Sequence, residues 1–438
     1  MKHLRRPPAH PWLNRTVLGI ALASLFSDWS HEIATAVLPV FLGSLGAAAA
    51  CLGIIEGVSD GLSSFAKLSS GLYTDRLSRR KPIAFAGYLV TTLATAAFGL
   101  ATAAWHVLIA RVLAWLGRGV RTPVRKALLA AAVDRSVYGR AFGFERAMDT
   151  LGAIIGPLSA LWLLAVFPGQ YRVVFALTLL PGVVAIALIG LVVQEKERTP
   201  VPHASFGERL RMLPKAYRRL LLAVGIFGAG AFAHTLLILW AAQRLTPSLG
   251  AQRAASAAIG LYVLHNIFYA TFSYVGGLLA DRFPKNRLLA GGYALAALMA
   301  LGIMFFPASL GLLALVFMFG GVQIAIEETL EDSFCAELVE PTQHGMAFGV
   351  LATVNGVGDF LSSAVVGLLW SAFGPTLAFG YSALLFILGA ILVVTGTPAN
   401  GSCFYLISTN AFDAPNRDEL SIHRNKSILS PGAVKVTR

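Results

Sequence analysis

Apolar residues in this chain run in blocks of about twenty, and polar residues collect in the short gaps between the blocks. Blocks of that length match a helix crossing a bilayer, at ~20 residues per span. The pattern predicts twelve such helices, near 16–43, 51–73, 82–103, 106–128, 139–166, 171–194, 219–243, 254–280, 288–307, 309–333, 345–371 and 375–396. Short turns such as "FPGQ" and "FGPT" separate several of them. No alternating, strand-like pattern competes, so the expected class is an all-α membrane protein.

Composition supports this. Of the 438 residues, 56% are hydrophobic and 13% charged, with a mean hydropathy of +0.69. Soluble domains are about a quarter charged. The net charge is +13 and the pI is near 9.9. The basic residues punctuate the gaps rather than form one patch, which argues against nucleic-acid binding. They are also one-sided. Lys2, Arg5, Arg6, Arg15, the loop "DRLSRRK", the end of the fourth span, the linker "EKERTPVPHASFGERLRMLPKAYRR" and the loop "DRFPKNR" share one side, and only Arg172, Arg244 and Arg253 fall on the other. The positive-inside rule then places both termini and the linker in the cytoplasm, with the chain in the cytoplasmic membrane. The first apolar block is too long for a signal-peptide core and no cleavage site follows it, so it is expected to stay as the first helix. The cysteines, Cys51, Cys335 and Cys403, form no framework.

The chain repeats itself. "GLYTDRLSRRKPIAFAGY" starts at Gly71 and "GLLADRFPKNRLLAGGY" at Gly277; "GRAFG" starts at Gly139 and "GMAFG" at Gly345. Both matches have the same offset of 206 residues. Six helices return the chain to its starting side, so the repeat is parallel. The expected organisation is an N-terminal segment at 1–15, six-helix bundles at 16–194 and 219–397, a cytoplasmic linker at 195–218, and a polar, disordered tail at 398–438.

"GLYTDRLSRRK" resembles the loop signature G-x-L-x-D-R-x-x-R-R-K of the major facilitator superfamily, with Ser78 where the family usually has Gly. "GLLADRFPKNR" resembles its weaker second copy. "GAIIGP", carrying Gly152, Gly156 and Pro157, resembles the fifth-helix signature common in proton-coupled antiporters, and Arg111 lies where many proton-coupled members carry a fourth-helix arginine, although Trp115 replaces the glycine that usually follows. "IIEGVSDGLSSFAKLSSGLYTDRLSRRKP" and "GRGVRTPVRKALL" resemble a prokaryotic group of largely uncharacterised members. The resemblance spans about 16–396. It implies a transporter that rocks two bundles around a central site, and it places Gly71, Asp75, Arg76, Arg80, Gly277, Asp281 and Arg282 in a cytoplasmic locking region.

Several spans carry charge at mid-depth. Asp28, His31 and Glu32 share one face of the first helix at i, i+3 and i+4, about 18–24 Å along it. Facing lipid, the three would cost roughly 7 kcal/mol or more. They must therefore face partners or a cavity. Either they form a polar network that fixes the helix, or one of the carboxylates binds the transported proton. Glu56 and Asp60 repeat the spacing in the second helix, and Glu145, Arg146 and Asp149 in the fifth read as an internal ion pair. The second half offers His234, Tyr262, His265, Asn266, Tyr269, Asn355 and Asp359 as candidates to line a substrate path. Central acids outnumber central bases, with Arg111 the one firm arginine, which favours protons or cationic groups over polyanions.

Adding the repeat offset to Arg121 and Arg125 of the fourth helix gives Glu327 and Glu331 of the tenth. This predicts salt bridges between the halves that close the cytoplasmic side. No HExxH, GxSxG or phosphate-cradling loop is present, so no enzyme, metal or cofactor is expected. The expected activity is proton-driven antiport that exports a small organic molecule, with the bilayer and the substrate as partners and a monomer sufficient. The alternatives are proton-symport uptake of a metabolite and a non-transporting receptor or assembly protein on a transporter fold.

Overall fold

The computed structural model describes residues 12–46, 49–195, 197, 206–232, 234–305 and 309–396. The disordered tail expected at 398–438 lies outside them. The helices are α1 (Arg15–Ser44), α2 (Ala49–Thr74), α3 (Lys81–Ala96), α4 (Ala104–Ala131), α5 (Tyr138–Val166), α6 (Tyr171–Leu177), α7 (Leu179–Ala187), α8 (Phe206–Met212), α9 (Lys215–Gly230), α10 (His234–Leu249), α11 (Ala251–Ala280), α12 (Lys285–Phe305), α13 (Leu310–Leu338), α14 (His344–Phe373) and α15 (Pro375–Gly396). Among the described residues there is no strand, and the helices make twelve passes. Eight segments are long and apolar enough to span a membrane by composition alone.

Two expected spans are interrupted. The one expected at 219–243 is broken between α9 and α10, where Ala231 is extended at φ −60° and ψ 162°. Gly225, Gly228 and Gly230 precede the break, and glycine is costly inside a helix. The Tyr381 hydroxyl donates to Ala229 O at 3.0 Å, so a carbonyl at the break keeps a partner. The span expected at 171–194 is a seam of α6, α7 and a π turn at Leu188–Val192. There the Ser30 hydroxyl donates to Thr178 O at 2.9 Å, and Lys81 Nζ donates to Gly190 O and Val193 O.

The bundle is apolar outside and polar within. Leu100 and Leu191 are more than four-fifths exposed, while Arg111, Arg121, Glu145 and Glu331 are buried. This inversion suits a lipid solvent. Within the first half α1 packs on α5, and α4 on both α2 and α3; in the second, α11 packs on α13, and α15 on both α9 and α12. Phe227 stacks between Tyr293 and Phe386 at 3.8 and 4.6 Å, which ties α9, α12 and α15 together.

The halves meet most extensively through two helix pairs, α2 with α14 and α5 with α11. They meet at the end of the bundle that carries the basic loops, called the basic end here. A Cβ on Gly71 would lie 2.2 Å from Gly345 O, and one on Gly139 would lie 2.3 Å from Gly277 O. Gly277 is the repeat-mate of Gly71, and Gly345 that of Gly139. The two repeated motifs are thus the two faces of one pseudo-symmetric joint, each copy docking on the other motif in the opposite half.

Gly139→Ala should lower thermal stability in detergent by on the order of 1–3 kcal/mol, the range for overpacking. Gly291→Ala, where a Cβ meets nothing within 4 Å, should leave it unchanged or slightly raised.

Candidate functional site

At the basic end each copy of the loop motif offers a buried carboxylate to a helix N-terminus in the other half. Asp75 accepts the Gly345 and Met346 N–H groups of α14 at 3.0 and 2.8 Å. Asp281 accepts the Gly139 and Arg140 N–H groups of α5 at 2.7 and 3.2 Å. Free N–H groups and the helix dipole favour an anion at such a terminus. Arg80 Nη2 lies 2.5 Å from Asp75 Oδ1, and Arg140 Nε lies 2.6 Å from Asp281 Oδ2. Arg76 and Arg282 are exposed.

Deeper in, α4 presents Arg111, Trp115, Arg118, Arg121 and Arg125 to the first-half interior. Arg111 is held by Glu56 at 2.8 Å and by the Thr35 hydroxyl at 3.2 Å. Arg118 meets Asp28 at 2.9 Å. Trp115 lies between these two cations, with its ring centroid 5.5 Å and 5.6 Å from the guanidiniums. An aromatic face between two cations is favourable. His31 is buried edge-on against Trp115 at 5.7 Å. Its Nδ1 has no hydrogen-bond partner among the described residues.

The predicted gate pairs do not form. Arg121 Nη1 donates to the Ser27 hydroxyl at 2.5 Å and its guanidinium covers the Tyr88 ring at 4.0 Å. Arg125 binds Glu145 at 3.0 Å, Asp149 at 3.3 Å and the Ser24 hydroxyl at 2.6 Å. All of these partners are in the same half. Glu327 takes the Gln323 amide, and Glu331 takes the Tyr293 hydroxyl at 2.6 Å and the Asn355 amide at 2.8 Å. Arg121 and Arg125 point inward because α1 and α5 offer buried acids and hydroxyls that must be neutralised or satisfied there. Deeper than the Arg140–Asp281 pair of the joint, the ion pairs that cross between the halves among the described residues include Lys126–Asp332 at 2.6 Å and Arg146 with Glu328 at 3.1 Å and Asp332 at 3.8 Å. Lys126 and Asp332 are themselves separated by the repeat offset. The offset therefore identifies a real pair one residue along from those it was applied to. Arg146 also makes the expected internal pair with Asp149, at 3.1 Å.

The sign count changes with it. Arg118, Arg121, Arg125 and Arg146 join Arg111 in the interior, so the acids Asp28, Glu56, Glu145 and Asp149 are matched. Among the described residues no ion pair is found for Glu32, Asp60, Asp359, Glu327 or Glu331. Lys67 is the cation near Asp60 and Asp359, with Nζ 4.0 Å from a Cβ built on Gly356 of α14. Asp60 and Asp359 are exposed. The interior stays acid-rich, but through a different set of residues.

The fifth-helix motif bears on the first-helix acids. A Cβ on Gly152 would lie 2.3 Å from Leu25 O, and one on Gly156 would lie 2.4 Å from Glu32 Cβ. These glycines let α5 close onto α1 at Asp28 and Glu32. Pro157 sits inside α5, where proline is tolerated in membrane helices.

In the second half, Tyr269 donates to Glu328, and Asn266 Nδ2 donates to Tyr262 O at 3.0 Å. His265 is buried against α13. It is 2% exposed, lies within 3.2 Å of Phe317 O, and fits against Gly320 and Gly321 of α13. The His234 side chain lies outside the described residues. Lys126 and Asp332 carried only a repeat-offset signal in the sequence, and Glu328 carried none. The Tyr293 contact carried none, because it depends on α12 lying beside α13.

Comparison with known proteins agrees with this architecture. The family model described as "Major Facilitator Superfamily" matches residues 20–327 and 220–403. An uncharacterised MFS-type transporter of Methanocaldococcus jannaschii is 28% identical over 383 residues, covering 87% of this chain and 95% of the relative. A probable 4-methylmuconolactone transporter of Cupriavidus pinatubonensis is 26% identical over 382 residues, covering 81% and 84%. The crystal structure of the human organic anion transporter MFSD10 superposes with a TM-score of 0.72 at 17% identity, covering 89% of this chain and all of that one.

Lys126→Glu or Asp332→Lys alone should each destabilise the folded protein by on the order of 3 kcal/mol, because each leaves a buried charge unmatched. The double reversal should recover most of that loss in thermal unfolding. Reversal of Arg121 with Glu327 should recover nothing.

Proposed function

The chain belongs to the major facilitator superfamily, and from that premise we propose that it exports a small organic molecule by proton antiport. On this reading it lies in the cytoplasmic membrane with the basic end and both termini in the cytoplasm. The six-helix bundles at 16–194 and 219–397 rock about a central site. The proton gradient supplies the energy.

The carrying observation is a set of interior carboxylates without cations. Glu331 is 1% exposed and is served by two neutral donors, Tyr293 and Asn355. Glu32 has no ion pair among the described residues and lies where Gly156 brings α5 onto α1. An ionised carboxylate is costly in such a place unless a cation joins it. A proton, or a cationic group on the substrate, meets that need, and competition for one carboxylate is the simplest form of exchange. Glu32 lies in the first half and Glu331 in the second, so a proton site is available on either side of the moving interface. The substrate names attached to similar proteins, 4-methylmuconolactone and organic anions, support a small organic molecule as cargo. The paired Asp28 and Glu56 are assigned to architecture, holding Arg118 and Arg111 beside Trp115.

The test is collapse of a preset pH gradient in everted vesicles on adding members of a panel of lipophilic cations, organic anions and sugars. Wild type should respond to one class. Glu32→Gln and Glu331→Gln should each reduce the response tenfold or more, while Asp28→Asn should lower expression or stability rather than the coupling of what remains. Substrate-driven acidification in the opposite sense would establish symport, and silence across the panel would favour the non-transporting alternative.

A further inference from the structure

The linker between the halves places a guanidinium inside the joint at the basic end. Arg209 belongs to α8, and its neighbours Glu208, Arg211 and Met212 are exposed. Arg209 itself is 2% exposed. Its Nη2 lies 2.8 Å from Asp75 Oδ2, and its Nη1 donates to Leu72 O at 3.1 Å. Arg80 holds the other Asp75 oxygen at 2.5 Å. The same carboxylate accepts the two α14 amides from the opposite half. A single side chain thus joins the loop, the linker and the other half.

The start of the linker grips the same loop. Glu195 accepts the Arg80 and Lys81 N–H groups at 2.7 Å each, capping the start of α3, and Glu197 pairs with Arg79. The exposed Arg79–Glu197 pair contributes little. The buried Arg209 contact is of a different kind. Asp75 is fully buried, so its charge is tolerable only while cations and N–H donors surround it. When the basic end opens, the α14 amides leave. Any group that holds Asp75 aimed at α14 therefore stabilises the closed arrangement relative to the open one. The joint is asymmetric in this respect, since Asp281, the repeat-mate of Asp75, takes its guanidinium from Arg140 across the interface.

We propose that Arg209 is a positioning residue of the basic-end joint and that the linker helix acts as a latch, docked when that end is closed and undocked as it opens. The proposal rests on the alternating-access reading above. It makes the linker a regulatory handle, because anything that captures α8 away from Asp75 favours opening toward the linker side.

Hydrogen exchange of the full-length protein in lipid nanodiscs tests this without a substrate. Peptides covering 206–213 and 341–350 would be followed in wild type, Arg209→Lys, Arg209→Ala and the exposed control Arg211→Ala. Arg209→Ala should speed exchange about tenfold or more both in the linker helix and at Gly345 and Met346, the scale of one lost hydrogen bond to a charged group. Arg209→Lys should fall between, and Arg211→Ala should match wild type. Loosening of 206–213 with wild-type protection at 341–350 would overturn the latch, as would no change in either. If Arg209→Ala loses protection throughout α1 and α12, it has failed to fold, and Arg209→Lys decides by the same comparison. Absence of proton flux in vesicles would refute antiport and leave this result standing, so the two failures are distinguishable.

Discussion

Two buried aspartates, each accepting backbone N–H groups at the first turn of a helix from the opposite half, hold this molecule in its observed arrangement. Asp75 on α14 and Asp281 on α5 are short-range, directional and charge-assisted contacts. They work because glycines at Gly71, Gly139, Gly277 and Gly345 let the helix backbones come within contact distance. A Cβ at Gly71, Gly139 or Gly277 would lie 2.2, 2.3 or 2.3 Å from the facing carbonyl oxygen, so a larger residue there forces the backbones apart. The joint is therefore a product of side-chain absence as much as of side-chain charge.

Behind the joint, the charges are sorted by half. The first half supplies Lys126 and Arg146; α13 of the second supplies Glu328 and Asp332. These cross pairs lie beside purely internal networks, such as Arg125 with Glu145 and Asp149. The distinction matters mechanically. Internal pairs stabilise each half by itself, whereas cross pairs tie one half to the other. Lys126, Arg146 and Asp332 are largely buried, so these cross pairs bind the halves more firmly than solvent-exposed pairs would.

The twelve passes could be read from hydropathy because a bilayer imposes a length and an apolar surface on every span. The breaks could not. Gly225, Gly228 and Gly230 weaken a helix, yet glycines elsewhere in this chain sit in unbroken helices, and the α9–α10 break also depends on Tyr381 arriving from α15. The repeat could be read from two motifs at one offset. That the motifs dock on each other needed the halves placed face to face. The interior charges were visible as residues but not as pairs. Arg121 and Glu327 are related by the offset and still do not meet, because Ser27 and Tyr88 lie nearer to Arg121 and compete for it.

By itself, then, the sequence determined the class of solvent, the number of passes, the internal repeat and the presence of acids too costly to face lipid. Each follows from composition and periodicity along one chain, and the membrane enforces them locally. Only the tertiary structure decided which acids have cations, that among the described residues no ion pair is found for Glu32 or Glu331, that His265 is buried against α13, and that Arg209 of the linker reaches Asp75. Those outcomes are fixed by distances between segments far apart in the chain. An ion pair forms with whichever opposite charge is nearest in a medium of low dielectric, and nearness of that kind is not recorded in residue order.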